Sequence, residues 1–396
     1  MKKVCLLLLI WISISCQVIS RSDNYKLFVT LENAPFDSLY LLECTQDRYL
    51  FFSGEKTSEF TWEFTIPDSI IHNSTDMRLK LSKYDYLNKQ SKSIRFLHEV
   101  NGKKNVIGNI GIQGRNNYIH AIYVGESIFP NEYFSAKIGK KDTIMLGELV
   151  DEDFKLVLEK DNSDITIRAQ DPLFCTFLNS RNEDISYDEY MKQYVKLSQK
   201  YPDSRYLISS LASSLYLFKT KEDVLSIYQN LSNSYKSTHW GEKIERYLYS
   251  KFSNNSLPTL DNAGYENIIQ DSLKYNLLVF TASWCHACIE EIPLLKQIYK
   301  DLNSCLDITY ISLDEGDEDA SFRRLIYKEK IPWRTLLAYE DIKNIEDKYF
   351  VVGIPHCILV YPSQTWEMIE IRDNEQLKKL YSLMQYINAR EQGEGS

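Results

Sequence analysis

The sequence lacks two features that would place it in large classes of protein. It has no long run of lysine and arginine, and its formal net charge is −9. Because phosphate backbones are bound by clustered basic side chains, we expect no nucleic-acid partner. Beyond the N-terminus, no segment approaches the roughly 18 consecutive apolar residues of a transmembrane helix. A multi-span membrane protein is therefore not expected.

Cysteine is too sparse for a small disulfide-bonded scaffold, because the chain has 8 cysteines in 396 residues. A zinc site needs four ligands, usually from a second CxxC or a nearby histidine pair. The other cysteines and the 6 histidines are scattered, so we expect no metal site. Cys44 and Cys175 are a candidate disulfide of the N-terminal region. Only Cys285 and Cys288 have a spacing that carries a mechanism.

The N-terminus has the pattern of an export signal, which we assign to residues 1–20. Lys2 and Lys3 precede an apolar stretch from Val4 to Ile14 that is short for a transmembrane span. The residues up to Cys16 resemble the lipobox of bacterial lipoproteins, in which Cys16 would carry the lipid. The alternative is a cleaved signal peptide without an anchor. In both cases the chain leaves the cytosol and enters a compartment in which disulfides can form and persist.

A chain of 396 residues exceeds one hydrophobic core, so two or three domains are expected. Residues 21–180 are predicted to form an all-β, sandwich-like domain with antiparallel strands. Its clearest signal is the alternation of apolar and polar residues from Glu59 to Ile66, which places Trp62 and Phe64 on one buried face.

Residues 181–256 are predicted to be a helical middle segment. Ser204 lies where a helix would start, before a broad apolar face. Thr220 and Asp223 have the spacing of a capping box before a second apolar run. A third helix is expected from about Thr238 to Lys251.

Residues 257–390 alternate strands and helices, and residues 391–396 form a polar tail. This alternation predicts an α/β sheet with helices packed on it. An apolar strand from Leu277 to Thr281 leads into a helix from about Cys285 to Asn303.

The position of Cys285 at a strand-to-helix junction gives the pair a physical logic. Backbone N–H groups at a helix N-terminus are unpaired, and the macrodipole there stabilises a thiolate. Such a thiolate attacks a disulfide, and Cys288, one helical turn later, resolves the mixed disulfide. Two alternatives remain for Cys285 and Cys288: they could supply half of a metal site, or they could form a purely structural disulfide.

Three stretches of the C-terminal domain resemble a known family. Ser283-Trp284-Cys285-x-x-Cys288, Glu291-Ile292-Pro293 and Val352-Gly353-Ile354-Pro355 resemble the thioredoxin superfamily, and most closely its exported TlpA/ResA branch. The match covers about 130 residues and implies a thioredoxin-like α/β fold. The β-domain and helices upstream resemble the fusion architecture of many envelope proteins of this branch.

The resemblance implies a role for each matching residue. Cys285 would be the exposed nucleophile and Cys288 the resolving thiol. Pro355 would be a cis-proline beside the pair, and with Ile354 it would present backbone groups to a substrate chain. No cofactor other than the Cys285–Cys288 disulfide is implied.

The same resemblance implies roles for Glu291 and Trp284, and the sequence departs from the usual motif of the branch between the two cysteines. Glu291 would be a buried carboxyl with a raised pKa that exchanges protons with the resolving thiol. Trp284 would pack beside the sulfurs and cover a recognition surface. The branch usually has proline where Ala287 stands, and His286 follows the nucleophile directly. A nearby imidazolium would favour the thiolate and make the couple more oxidising.

These observations predict an exported, membrane-anchored thiol–disulfide oxidoreductase that reduces disulfides in envelope proteins. Its expected partners are those proteins and a membrane electron donor or acceptor. Its expected location is the periplasm, or the outer membrane as a lipoprotein. The direction follows from the resemblance alone.

Three alternatives remain open. The Cys285-His286-Ala287-Cys288 sequence also suits a disulfide oxidant or isomerase. The sequons at Asn73 and Asn230 would suit a eukaryotic secretory isomerase, although Glu391 to Ser396 contains no retention signal of the KDEL type. Finally, the chain could be a non-enzymatic surface binding module with a thioredoxin-like scaffold.

Overall fold

The computed structural model divides the chain into two compact units, Met1–Asn182 and Glu183–Ser396. It describes residues 24–45, 48–71, 77–82, 90–100, 103–126, 132–138, 142–157, 164–171, 186–261, 263–315 and 319–393. The predicted signal peptide with Cys16 lies outside these residues, as do Cys175 and the side chain of Cys44.

The first unit is built on a sheet that has 12 strands among the described residues. These strands are β1 Tyr25–Glu32, β2 Tyr40–Thr45, β3 Arg48–Ser53, β4 Glu55–Ser58, β5 Thr61–Ile66, β6 Met77–Lys80, β7 Gln90–Val100, β8 Lys103–Ile107, β9 Asn109–Ile110, β10 Asn116–Glu126, β11 Glu132–Ile138 and β12 Asp142–Leu156. The described part of this unit also contains two short helices, α1 Asp68–Ile71 and α2 Asp164–Gln170.

The sheet is mixed rather than uniformly antiparallel as predicted. Its main path runs β3-β2-β6-β7-β12-β10-β1-β5-β4. The β1–β10 and β7–β12 pairs are parallel, and the other pairs are antiparallel. Parallel pairing joins strands that are distant in the chain, and the alternation within one strand contains no information about it.

The predicted alternation in β5 is confirmed. Trp62, Phe64 and Ile66 are fully buried, whereas the residues between them are partly or fully exposed. The indole N–H of Trp62 donates to the backbone oxygen of Asp37 at 3.0 Å, so the one polar atom of this core residue is satisfied.

The second unit begins with the helical segment. Its helices are α3 Tyr187–Lys200, α4 Arg205–Ser213, α5 Lys221–Tyr228, α6 Asn233–Lys236 and α7 His239–Tyr249. The predicted caps are present: the hydroxyl of Ser204 accepts from the N–H of Leu207, and Thr220 and Asp223 form a complete capping box.

The rest of the second unit has the predicted α/β arrangement. A small pair of strands, β13 Ser256–Pro258 and β14 Tyr265–Asn267, precedes a five-stranded sheet of order β17-β16-β15-β18-β19. The sheet consists of β15 Tyr275–Thr281, β16 Leu306–Ser312, β17 Arg334–Leu337, β18 His356–Val360 and β19 Trp366–Met368. The helices are α8 His286–Leu302, α9 Asp319–Glu329, α10 Ile342–Lys348 and α11 Asn374–Gly393.

The helical segment packs on this α/β sheet rather than standing apart from it. The ring of Tyr247 contacts Phe350 and Trp366 edge to face, and the indole of Trp366 donates to the backbone oxygen of Ser250 at 3.0 Å. An exposed ion pair joins Arg246 to Asp347. Among the described residues, none of the helices is long and apolar enough to cross a bilayer.

Candidate redox site

The site is centred on the junction between β15 and α8, where Cys285 and Cys288 form a disulfide. Cys285 is the N-cap of α8, and the backbone N–H of Cys288 donates to its sulfur at 3.2 Å. A hydrogen bond from an N–H at a helix start favours negative charge on that sulfur once the bond is reduced.

Both sulfurs are shielded in the disulfide form. Cys285 is 7% exposed and Cys288 3%. Cys285 was expected to be exposed, and it is covered because the pair packs with Ala282, Ala287 and Ile354.

The loop before β18 lies against the pair, as the sequence motif implied. The Ile354–Pro355 peptide bond is cis. The backbone oxygen of Ile354 is 3.6 Å from the sulfur of Cys285. A chain bonded to that sulfur would lie beside this backbone.

Glu291 lies three residues after Cys288 on the same face of α8 and is buried, with 3% of its surface exposed. Burial raises its pKa from 4.5 to about 7, against a lowering effect of the Arg372 charge and with a smaller raising effect of Glu370. Its Oε2 is buried and has no hydrogen-bond partner among the described residues. The carboxyl can therefore hold or release a proton close to neutral pH.

Arg372 reaches this carboxyl from the turn after β19. Its Nε lies 3.6 Å from Oε1 of Glu291. The same guanidinium binds Glu370 through Nε and Nη2, each at 2.9 Å. We did not predict these two residues, because no motif or short spacing links them to α8.

Asp314 fixes the loop that precedes the cysteines. Its buried carboxylate accepts hydrogen bonds from the backbone N–H and hydroxyl of Ser283 and from the hydroxyl of Ser312. We did not predict this role of Asp314 from the sequence. A signal was available, since Asp314 follows β16, and the ends of parallel strands meet at one edge of a sheet.

Two residues of the motif face solvent. Trp284 is 61% exposed, which leaves its indole available at the rim of the site. The side chain of His286 is 86% exposed, and its Nδ1 is 3.4 Å from Oε1 of Glu290 one turn later. Any positive charge on His286 is thus partly balanced by a neighbouring carboxylate.

Two buried groups lie in β18 behind the site. Burial lowers the pKa of His356 to about 4, so its imidazole is neutral at physiological pH. Burial, together with the charge of Glu291, raises the pKa of the Cys357 thiol well above its usual value. The thiols of Cys305 and Cys357 are buried.

A groove of about 530 Å³ separates the helical segment from the cis-proline loop. Tyr216, Leu217 and Lys219 line one side, and the loop residues Val352 and Pro355 line the other. Tyr216, Leu217 and Val352 are 42%, 39% and 60% exposed. The sequence did not predict this apolar rim, because it depends on how the helices pack.

The described residues contain no group of three or more histidine, cysteine, aspartate or glutamate side chains placed to hold a metal ion.

Residues 272–365 match the thioredoxin-like family model, so the predicted assignment of the C-terminal domain to the thioredoxin superfamily is confirmed. No curated protein matches the chain significantly.

Solved structures similar to this domain include three thiol–disulfide exchange proteins. The thioredoxin domain of a thiol-disulfide oxidoreductase from Bacteroides vulgatus is 25% identical, covering 34% of this chain and 96% of that one, with a TM-score of 0.31. A thiol:disulfide interchange protein from a Bacteroides species is 24% identical, covering 35% of this chain and 92% of that one, with a TM-score of 0.31. The thiol:disulfide interchange protein DsbE from Chlorobium tepidum is 18% identical, covering 34% of this chain and 95% of that one, with a TM-score of 0.30.

Proposed function

We propose that this chain is an exported thiol–disulfide oxidoreductase that reduces disulfides in other envelope proteins through Cys285 and Cys288. The observation that carries the proposal is the hydrogen bond from the N–H of Cys288 to the sulfur of Cys285 at the start of α8, beside Ile354 and Pro355. This arrangement stabilises the thiolate that disulfide exchange requires.

The reaction proceeds in two exchanges. The Cys285 thiolate attacks a substrate disulfide, forms a mixed disulfide and releases the first substrate thiolate. Cys288 then transfers its thiol proton to the Glu291 carboxylate, and its sulfur attacks Cys285. The second substrate thiolate leaves, and the Cys285–Cys288 disulfide remains. A membrane dithiol donor of electrons must reduce that disulfide before the next cycle.

The surrounding residues would recognise the substrate. We assign Ile354, Pro355 and the exposed Trp284 to the substrate-binding surface and His286 to tuning of the potential. For the location, we propose export by residues 1–20 and attachment through Cys16, which is supported by the basic and apolar pattern of that segment. Labelling with a radioactive fatty acid, lost in Cys16→Ser, tests the anchor.

The direction is tested by the reduction potential of the pair in glutathione and dithiothreitol buffers. A value close to about −270 mV, that of thioredoxin, supports a reductase. A potential near about −120 mV, as in a strong oxidant, would instead favour oxidation. A pair that cannot be cycled at all would refute the redox proposal, and Cys285→Ser with Cys288→Ser provides the matched inactive control.

Disulfide oxidation or isomerisation is the second candidate, and one observation favours it. His286 occupies the first turn of α8 next to the nucleophile, where an imidazolium adds to the stabilisation of the thiolate. A more stable thiolate makes the dithiol form more stable and the disulfide a stronger oxidant. The same potential measurement separates the two candidates.

A further inference from the structure

Arg372 is a positively charged side chain beside the proton-exchanging carboxyl of Glu291. Its Nε is 3.6 Å from Oε1 of Glu291, and the side chain is 45% exposed whereas that of Glu291 is 1% exposed. The guanidinium therefore connects a buried carboxyl with the solvent-facing side of the site.

Glu370 holds this guanidinium in place. The carboxylate of Glu370 accepts from the backbone N–H of Arg372 at 3.1 Å and from Nε and Nη2 at 2.9 Å. A planar guanidinium that donates two hydrogen bonds to one carboxylate in a bidentate arrangement has little rotational freedom. Arg372 is thus fixed at one distance from Glu291.

The other titratable groups that face Glu291 are Cys288 on its own helix, Cys357 of β18 and Tyr310 of β16. Burial raises the pKa of the thiol of Cys357 and of the phenol of Tyr310, and the charge of Glu291 raises both further. Both groups are therefore neutral near pH 7. The charges that act on Glu291 come from Arg372 and, more weakly, from Glu370.

We propose that Arg372, held by Glu370, is a positioning residue that keeps a fraction of Glu291 ionised so that this carboxylate can take the proton of Cys288. The inference rests on the proposed function. Arg372 engages Oε1, while Oε2 makes no hydrogen bond among the described residues and is free to take the proton. Without the guanidinium, the buried carboxyl would hold its own proton near neutral pH and could not act as the base.

The experiment uses the full-length reduced protein and Ellman's reagent. Attack by Cys285 releases one thionitrobenzoate and leaves the other bonded to its sulfur. Attack by Cys288 then releases the second, so stopped-flow absorbance separates the two steps. The second rate is measured from about pH 5.5 to 9. In parallel, carbon NMR of labelled glutamate follows the titration of Glu291 in the disulfide form.

Three variants separate a specific effect from a general one. Arg372→Gln removes the charge, and Arg372→Lys keeps a charge without the fork. Lys274→Gln is the matched control, because Lys274 forms a half-buried ion pair with Asp307 at 3.1 Å and precedes the opposite end of β15.

In Arg372→Gln, we expect the Glu291 titration and the inflection of the second rate to move together to higher pH. A shift of half a pH unit lowers the second rate at pH 7 by about twofold, because the ionised fraction of a carboxyl with a pKa of about 7 falls from about one half to about one quarter, with the first rate unchanged. Arg372→Lys should restore part of the shift, and Lys274→Gln should behave as the parent does.

A slower second step with an unmoved inflection would mean that Arg372 is merely structural and would overturn the proposal. Equal shifts in Arg372→Gln and Lys274→Gln would overturn it as well. If the unsubstituted protein never releases the second thionitrobenzoate, the proposed function itself fails. That failure is recognisable because it occurs without any change at Arg372.

Discussion

Replacement of Glu291 by glutamine should change how the stability of the disulfide form depends on pH. The carboxyl has a pKa of about 7 in the folded protein, compared with an ordinary value of 4.5, mainly because burial penalises its charged form. The folded state therefore binds this proton more tightly than the unfolded state. The stabilisation is complete below pH 4.5 and is lost as the pH rises through 7. Glutamine has no such proton, so its contribution does not vary.

The size of the effect follows from the pKa difference of about 2.5. Each pKa unit corresponds to about 1.36 kcal/mol, so the parent should lose about 3 kcal/mol relative to Glu291→Gln between pH 4.5 and pH 8. The Glu291 side chain is only 1% exposed, so solvent screening reduces this value little. Titrations shared by both proteins cancel in the comparison.

Urea unfolding at pH 4.5 and pH 8, followed by fluorescence and circular dichroism, measures the difference. Glu290→Gln is the matched control, because Glu290 precedes Glu291 on the same helix but its side chain is 68% exposed. Its difference from the parent should be nearly independent of pH. If the free energy of unfolding of Glu291→Gln also varied with pH as that of the parent does, the Glu291 carboxyl would not be a proton-binding group of raised pKa. Glu291 would then no longer be a candidate base for Cys288.

Four further outcomes are expected. Cys285→Ser should abolish reaction with disulfides, whereas Cys288→Ser should still release one thionitrobenzoate and then remain as a stable mixed disulfide, visible by mass spectrometry; release of two would contradict the assigned order. His286→Ala should make the couple more reducing by less than about 30 mV in thiol buffers, because the imidazole is exposed and balanced by a carboxylate; a rise in potential would refute the tuning role. Asp314→Ala should cost about 1–3 kcal/mol in urea unfolding, since it leaves buried donors unpaired; parent-like stability would mean that the loop does not depend on this anchor. Trp62→Ala should cost about 3–5 kcal/mol in the unfolding of the N-terminal unit, because a fully buried indole is lost; a loss below about 1 kcal/mol would show that the core closes over the gap.

The parts of the fold that the sequence predicted are those that depend on local chemistry. The capping box of Thr220 and Asp223 and the buried stripe of Trp62 and Phe64 need only neighbouring residues, and both are present. The parallel pairing of β1 with β10 was missed, because it joins strands far apart in the chain. The apolar groove beside Leu217 was missed for the same reason.

The candidate site divides in the same way. Cys285 and Cys288 could be placed at a helix start because a strand and a helix flank them, and the structure has them there. That Ile354 lies beside Cys285 was predicted only from the resemblance. The short segment before β18 contains no physical signal that it will contact a helix distant in the chain. Arg372 was not predictable at all, since its contact with Glu291 depends on how the turn after β19 packs on α8.

Two buried carboxyls beside the cysteine loop show how partners, rather than burial, separate a structural role from a chemical one. Asp314 and Glu291 are each 3% exposed. Asp314 accepts hydrogen bonds from Ser283 and Ser312, and these bonds hold the loop that precedes the cysteines. Glu291 has a guanidinium 3.6 Å from one oxygen and, among the described residues, no donor to the other, so the cost of burying its charge is offset only in part. The Glu291 carboxyl lies one helical turn from Cys288, and its charge is stabilised only in part, so a proton from that thiol would stabilise it. We therefore propose Glu291, and not Asp314, as the base of the reaction.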